Sequence, residues 1–406
     1  MRCNRILLIS QYFHPENFRI NDIALGLKEK GYDVTVLTGI PNYPAGKFFP
    51  NYSIFGPSKD CFNNMVIYRV PLWPRRSGSG LNLFLNYISF AFFSSLRILR
   101  LKNNYDLIFT YQPSPITVAI PSYIAKLKFK IPIIFWCQDL WPHSVVDAGK
   151  MDNPKVISIL NKFSKWVYRI SDRILVQSKG FIDPILKQGG DLKKIKYVPN
   201  TIEEHFGVES INLKASSVFT ITFAGNIGKA QNLETLVKAI NIVKEENIPF
   251  LAQILGDGRE KQKILDLINE LNVSDYFNFV GQIPSSEVPS YYQKSDALFV
   301  SLLRKPTFET VIPNKVQSYL ASGKPIIGCL SGEGKKVIEE SKGGICVEAG
   351  EYKNLAEVLI SFTKLSSDEL MEMGANSKRY FDCNFSRSKI LNDLSEIFNE
   401  VACQKF

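Results

Sequence analysis

The chain has 406 residues, 45% of them apolar and 22% charged, which excludes a disordered chain and predicts two or three domains of about 150 residues each. The net charge of +10 is uneven, with +15 in residues 1–200 and −5 in residues 201–406. A basic first half suits an acidic partner (lipid headgroups, a diphosphate or nucleic acid), unless its lysines only solvate helix faces.

The elements follow in chain order. Arg5–Ser10 is a strand, too short and too soon followed by Gln11-Tyr12 to be a secretory signal. A loop to Arg19 leads into a helix over 20–30, closed by Gly31, and a strand over 33–38. The stretch Leu81–Leu101 is rich in Leu, Phe and Ile, but Asn82, Asn86, Ser89, Ser94, Ser95, Arg97 and Arg100 interrupt it. A spanning helix needs about 20 mostly apolar residues, so this stretch is either a surface-seeking helix with its arginines at headgroup level or an ordinary core helix. Strands at 106–110, 131–137, 173–177 and 197–200 alternate with helices at 116–128 and 155–169. The alternation restarts with strands at 219–224, 250–255, 277–280, 297–301, 325–328 and 343–347, and helices from Asn232, at 315–321, 354–365 and 387–401. The expectation is an α/β chain of two Rossmann-like parallel units facing a cleft, with ligands beyond the carboxyl ends of the strands. The domains are set at 1–204 and 205–385, with 386–406 as a helix packing back on the first. The seven dispersed cysteines, with no C-x-x-C and no Cys/His pair at zinc spacing, predict buried free thiols in a reducing compartment.

Candidate chemistry collects at strand ends. Gly225 and Gly228 permit a tight turn before a helix start, with Asn226 between them and Lys229 beside, a fit for a diphosphate. Pro313-Asn314-Lys315 opens another helix, and a lysine there opposes the helix dipole unless an anion sits between. Two helix starts and two lysines converging on one cleft would hold a nucleotide diphosphate and stabilise it as it leaves. No Asp-x-Asp or His/carboxylate cluster calls for a metal. Asp139, just past an apolar strand, is a candidate to orient or deprotonate a sugar hydroxyl, or a turn aspartate. His14 and Arg19 lie in the first strand–helix loop. Glu309, in the loop before Lys315, could touch sugar hydroxyls. A nicotinamide dehydrogenase is disfavoured, because no glycine occurs between Ser10 and Arg19.

The second half resembles the retaining glycosyltransferases of family 4, of GT-B architecture. The carrying residues are Phe223-Ala224-Gly225-Asn226, Leu255-Gly256-Asp257-Gly258, Phe279-Val280-Gly281, Asp296–Ser301, Ala321-Ser322-Gly323-Lys324-Pro325 and, between the domains, Val198-Pro199-Asn200-Thr201-Ile202. Gln138-Asp139-Leu140-Trp141-Pro142, Pro313-Asn314-Lys315-Val316-Gln317-Ser318-Tyr319 and Asn42-Tyr43-Pro44 look like the subgroup that includes the O-antigen and capsule N-acetyl-L-fucosamine transferases. The resemblance implies a UDP-linked amino-sugar donor, a polyprenyl-diphosphate sugar acceptor and no cofactor beyond the nucleotide sugar. It also implies transfer with retention, without metal, on the cytoplasmic side of a bacterial plasma membrane. The partners are then donor, acceptor and an anionic membrane surface, not nucleic acid. Donor contacts are expected from Gly225, Asn226, Lys229, Gly256, Gly258, Gln282, Ile283, Lys315, Val316 and Ser318. Acceptor contacts are expected from Arg19, Asn42 and Tyr43, and catalytic roles from Asp139, His14 and Glu309. The family commonly carries two glutamates eight positions apart where this chain has Thr310 and Ser318, a lysine where it has Gln231, and a histidine where it has Gln138. The alternatives are a nucleotide-sugar 2-epimerase on the same fold and a non-catalytic binding protein.

Overall fold

A computed structural model describes residues 3–102, 104–147, 152–202 and 218–403. It divides into two compact units, one of Met1–Asn200 with Ile390–Phe406 and one of Thr201–Lys389. The boundary read at 204/205 lies outside the described residues.

The first unit carries eight strands, β1 (Arg5–Ile9), β2 (Asp33–Gly39), β3 (Lys59–Phe62), β4 (Met65–Val70), β5 (Leu107–Gln112), β6 (Ile133–Cys137), β7 (Arg173–Val176) and β8 (Ile195–Tyr197). Its helices are α1 (Arg19–Glu29), α2 (Gly80–Arg100), α3 (Ala119–Phe129), α4 (His143–Asp147), α5 (Pro154–Ile170) and α6 (Ile182–Lys187). The sheet order is β3-β4-β2-β1-β5-β6-β7-β8, parallel except where β3 turns back on β4. β5 and β6 are buried along their whole length, as expected of strands covered on both faces. One strand expectation is corrected here, and one pair of strands is new. The last strand ends at Tyr197 rather than running to Asn200, because Pro199 has no N–H for the ladder. The hairpin β3–β4 has no counterpart in the sequence reading.

The second unit carries β9 (Phe219–Ala224), β10 (Phe250–Leu255), β11 (Phe277–Gly281), β12 (Ala297–Ser301), β13 (Ile326–Cys329) and β14 (Gly344–Val347). Its helices are α7 (Glu234–Glu245), α8 (Lys261–Glu270), α9 (Val288–Gln293), α10 (Pro306–Glu309), α11 (Asn314–Ala321), α12 (Glu333–Ser341), α13 (Tyr352–Thr363) and α14 (Ser367–Asn384). The order β11-β10-β9-β12-β13-β14 is parallel throughout. Both units are doubly wound sheets whose strand order reverses at a switch point, between β1 and β5 in the first and between β9 and β12 in the second, where ligands of such sheets bind.

The last helix, α15 (Arg387–Cys403), presents Ile390, Leu391, Leu394, Ile397, Phe398 and Val401 at helical spacing. These side chains lie in the same core as Ile6, Leu8, Phe109 and Trp136 of the first unit. Phe398 meets Phe109 at 5.0 Å between ring centroids, and Glu400 pairs with Arg173 at 2.5 Å. The cysteines are only partly as expected: Cys3, Cys137 and Cys329 are buried, whereas Cys61, Cys383 and Cys403 are exposed.

Candidate functional site

In the second unit the glycine loops pack against one another at the switch point. Gly225 follows β9 with φ at 138° and Gly256 follows β10 with φ at 132°, conformations that glycine alone adopts without strain. A Cβ on Gly256 would fall 2.0 Å from the Gly225 carbonyl oxygen, and one on Gly258 would fall 2.2 Å from that of Ile227. The backbones are also tied, since Gly225 N–H donates to Leu255 O at 2.8 Å, Ile227 N–H to Asp257 O at 2.8 Å and Gly256 N–H to Gly281 O at 2.7 Å. Gly225, Asn226, Gly256 and Gly258 are therefore neighbours. Gln282 and Ile283 continue the chain just past Gly281, exposed and half-buried respectively.

Lys315 completes this cluster from the second residue of α11. Its Nζ lies 3.8 Å from the centroid of the Phe223 ring, and its Cε and Nζ stand 2.5 and 2.8 Å from where a Gly225 Cβ would be. The ammonium is buried and has no hydrogen-bond partner among the described residues. Burial alone pulls its pKa down from 10.5 to about 7. The aromatic face offsets only part of the lost hydration. An unpartnered buried cation at a helix start, beside loops that only glycine can form, has the chemistry to hold an anion.

The other expected donor contacts differ in kind. Lys229 is exposed on a short 3₁₀ turn at 229–231. Val316 is fully buried in the core, and its N–H already donates to Pro313 O at 2.9 Å. Ser318 is buried and donates to Lys315 O at 3.0 Å. Glu309 faces Arg304, Oε1 to Nε at 3.5 Å, and its backbone is where a Cβ on Gly332 would collide.

In the first unit the expected residues gather around the ends of β1, β2 and β6. His14 stacks on Phe62 at 4.2 Å between centroids, and burial with the nearby Arg69 charge lowers its pKa, which favours the neutral ring at pH 7. Arg19 opens α1 and acts electrostatically on Tyr111 at the end of β5. Asn42 is buried, with its Oδ1 accepting from Arg75 N–H at 3.0 Å. Tyr43 stays partly exposed, and the Arg75 guanidinium lies 5.1 Å from its ring. Asp139 is half-buried; burial raises its carboxyl to about 6, against the pull of Ser144, Trp141 and the Leu140 amide. Ser144 Oγ and Trp141 Nε1 face it without closing a hydrogen bond of full geometry.

Sequence reasoning missed three groups here. Glu16 is a buried carboxylate whose Oε1 accepts the N–H of Asn42 at 2.8 Å and of Tyr43 at 2.7 Å. Arg75 donates to Tyr12 Oη at 2.6 Å. Gln11 and Gln112 are buried where β1 and β5 end, at the switch point, with Gln11 Oε1 and both Gln112 amide atoms unpaired among the described residues. The signal available was a glutamine closing an otherwise apolar strand.

Two family models match the chain. One, described as Glycosyltransferase Family 4, covers residues 18–206, and the other, described as Glycosyl transferases group 1, covers residues 208–380. The chain is 26% identical over 392 residues to N-acetyl-alpha-D-glucosaminyl L-malate synthase of Bacillus anthracis, covering 94% of this chain and 92% of that one. It is 22% identical over 296 residues, 72% of this chain and 69% of the other, to a protein named as the colanic acid biosynthesis glycosyltransferase WcaL of Escherichia coli (strain K12). Among solved structures, Anabaena HepE in complex with UDP superposes with a TM-score of 0.68 at 12% identity, covering 98% of this chain and 100% of that one.

Proposed function

The chain belongs to the GT-B glycosyltransferases of family 4 and group 1, and from that premise we propose that it moves an amino sugar, N-acetyl-L-fucosamine or a close relative, from a UDP-linked donor to a polyprenyl-diphosphate-linked saccharide. The transfer builds a surface polysaccharide on the cytoplasmic side of the membrane. Membership of this family favours transfer over epimerisation. The name of one relative, N-acetyl-alpha-D-glucosaminyl L-malate synthase, supports an amino sugar, and that of another, a colanic acid biosynthesis glycosyltransferase, supports a polysaccharide product. The HepE complex with UDP supports the nucleotide.

One observation carries the donor assignment: the Lys315 ammonium, buried and unpartnered, beside Gly225 at the start of α11. A diphosphate supplies the missing counter-charge. As the glycosidic bond to the donor breaks, negative charge grows on the departing diphosphate oxygens, and a fixed cation with helix N–H groups stabilises that state more than the ground state. Lys315 and α11 would take the role a metal plays elsewhere, so activity should persist in chelator. Retention follows if the acceptor hydroxyl attacks from the face the diphosphate leaves, with a diphosphate oxygen accepting its proton.

UDP should raise the melting temperature of the wild-type protein. Lys315→Ala should weaken UDP binding by ~2 kcal/mol or more, the scale of a hydrogen bond to a charged group. Equal affinity of the two proteins in titration calorimetry would remove Lys315 from the donor site.

A further inference from the structure

α2 is apolar on two opposite sides. Leu83, Phe90, Ala91 and Ile98 are buried in the first unit. On the other side Leu81 is 70% exposed, Phe84 58%, Phe92 57% and Leu99 58%, with Ile88 and Leu96 between them. Steps of three and four residues put these six on one stripe, roughly 27 Å long at 1.5 Å per residue. α2 is the one helix among the described residues long and apolar enough to cross a membrane by length and composition.

It is also fastened along its length. The buried Asn86 accepts from Gln11 Nε2 at 2.6 Å and donates to Trp73 O at 2.5 Å. Ser89 Oγ accepts the Trp73 N–H at 2.8 Å. At the far end Lys128 Nζ donates to the carbonyls of Ile98, Leu99 and Leu101. A helix tied in this way lies along its unit.

The surroundings are strongly basic. Residues 73–131 contain eight Lys and Arg and a single acidic residue, Asp106, which pairs with Arg5 at 3.1 Å. Arg76, Arg100, Lys102, Lys128 and Lys130 are exposed, and α2 itself holds no acid. Leu127 on α3 is 60% exposed and lies next to Lys128 in the chain.

We propose that the α2 stripe is an in-plane docking surface for an anionic lipid bilayer. Its leucines and phenylalanines enter the headgroup–acyl boundary and the flanking bases meet lipid phosphates. Charge decides between occupants. A second copy on this face would bring two basic rims together, and an acidic, fluid surface is complementary to an apolar ridge with basic flanks. Docking goes beyond the transfer activity and requires neither donor nor acceptor, so it is tested apart from them.

The full-length protein is sedimented with vesicles of phosphatidylcholine alone or mixed with phosphatidylglycerol. Wild type should bind the anionic vesicles at least about tenfold more tightly, less so as salt rises. Phe84→Ser with Phe92→Ser should lower that binding at least about tenfold, with the UDP-induced melting shift retained. Should that pair misfold, Arg100→Glu with Lys102→Glu, at the exposed rim, must still weaken binding to anionic vesicles. Docking is overturned if wild type stays in the supernatant with anionic vesicles, or if folded stripe and rim variants all bind as wild type does. It is equally overturned if wild type is a dimer in sedimentation velocity that Phe84→Ser dissociates.

Discussion

Lys315 sits where its charge is least welcome without a counter-charge. In the unfolded chain a lysine keeps its proton up to its ordinary value of 10.5, whereas in the folded protein burial brings this one down to about 7. Between those values the unfolded state holds more protons, so stability contributed by this site rises with pH, and below about 7 the full penalty of a buried charge is present. Lys315→Met should therefore raise the melting temperature at mildly acidic pH, and the gain should fade as pH climbs through that window. A diphosphate bound as proposed would reverse the balance, because it favours the charged amine. UDP affinity of wild type should fall above pH 7, by at most about tenfold per pH unit, and that slope should vanish in Lys315→Met; calorimetric titration at stepped pH measures both. Lys315 was legible in the sequence because a cation at a helix start needs a reason. Phe223 beneath it was not, since a phenylalanine in an apolar strand reads only as core. Glu16 was equally silent, because its partners are backbone amides of Asn42 and Tyr43, and no sequence pattern reports those.

Among the elements, α15 shows how much an apolar stripe can fix. Phe398 is fully buried against Phe109, so Phe398→Ala should destabilise the first unit by about 3–5 kcal/mol, read from urea denaturation. Its periodicity was visible in the sequence, as was that of α5. α12 and α14 were not seen. α12 has only Val337 and Ile338 as buried large apolar residues, and α14 buries Gly374, Ser377 and Phe381, a face too small to register as hydrophobic. Gly374 is small for a reason, since its Cβ would fall 2.3 Å from the Gly323 carbonyl oxygen. The start of α14 did carry a readable sign, the capping box of Ser366 and Glu369. For α2 the sequence left core and surface open, and the structure shows one face of each kind.

Over the whole molecule the doubling was plain in the sequence, because strand–helix alternation restarts at Phe219. The strand order was not, since pairing across a sheet is set by non-local contacts. Each unit has its own core, and every residue of the proposed anion seat belongs to the second. Calorimetric melting should accordingly resolve two transitions, and UDP should raise the one assigned to the second unit more than the other. A single transition shifted as a block would argue against independent cores.

The shared core of β1 and α15 also orders events in time. A ribosome releases Arg5–Asn200 long before Ile390–Val401, and until those last side chains arrive the earlier half lacks a wall. The half made second can finish folding first, against the usual vectorial order, and the nascent first half must meanwhile be kept from sticking to its neighbours.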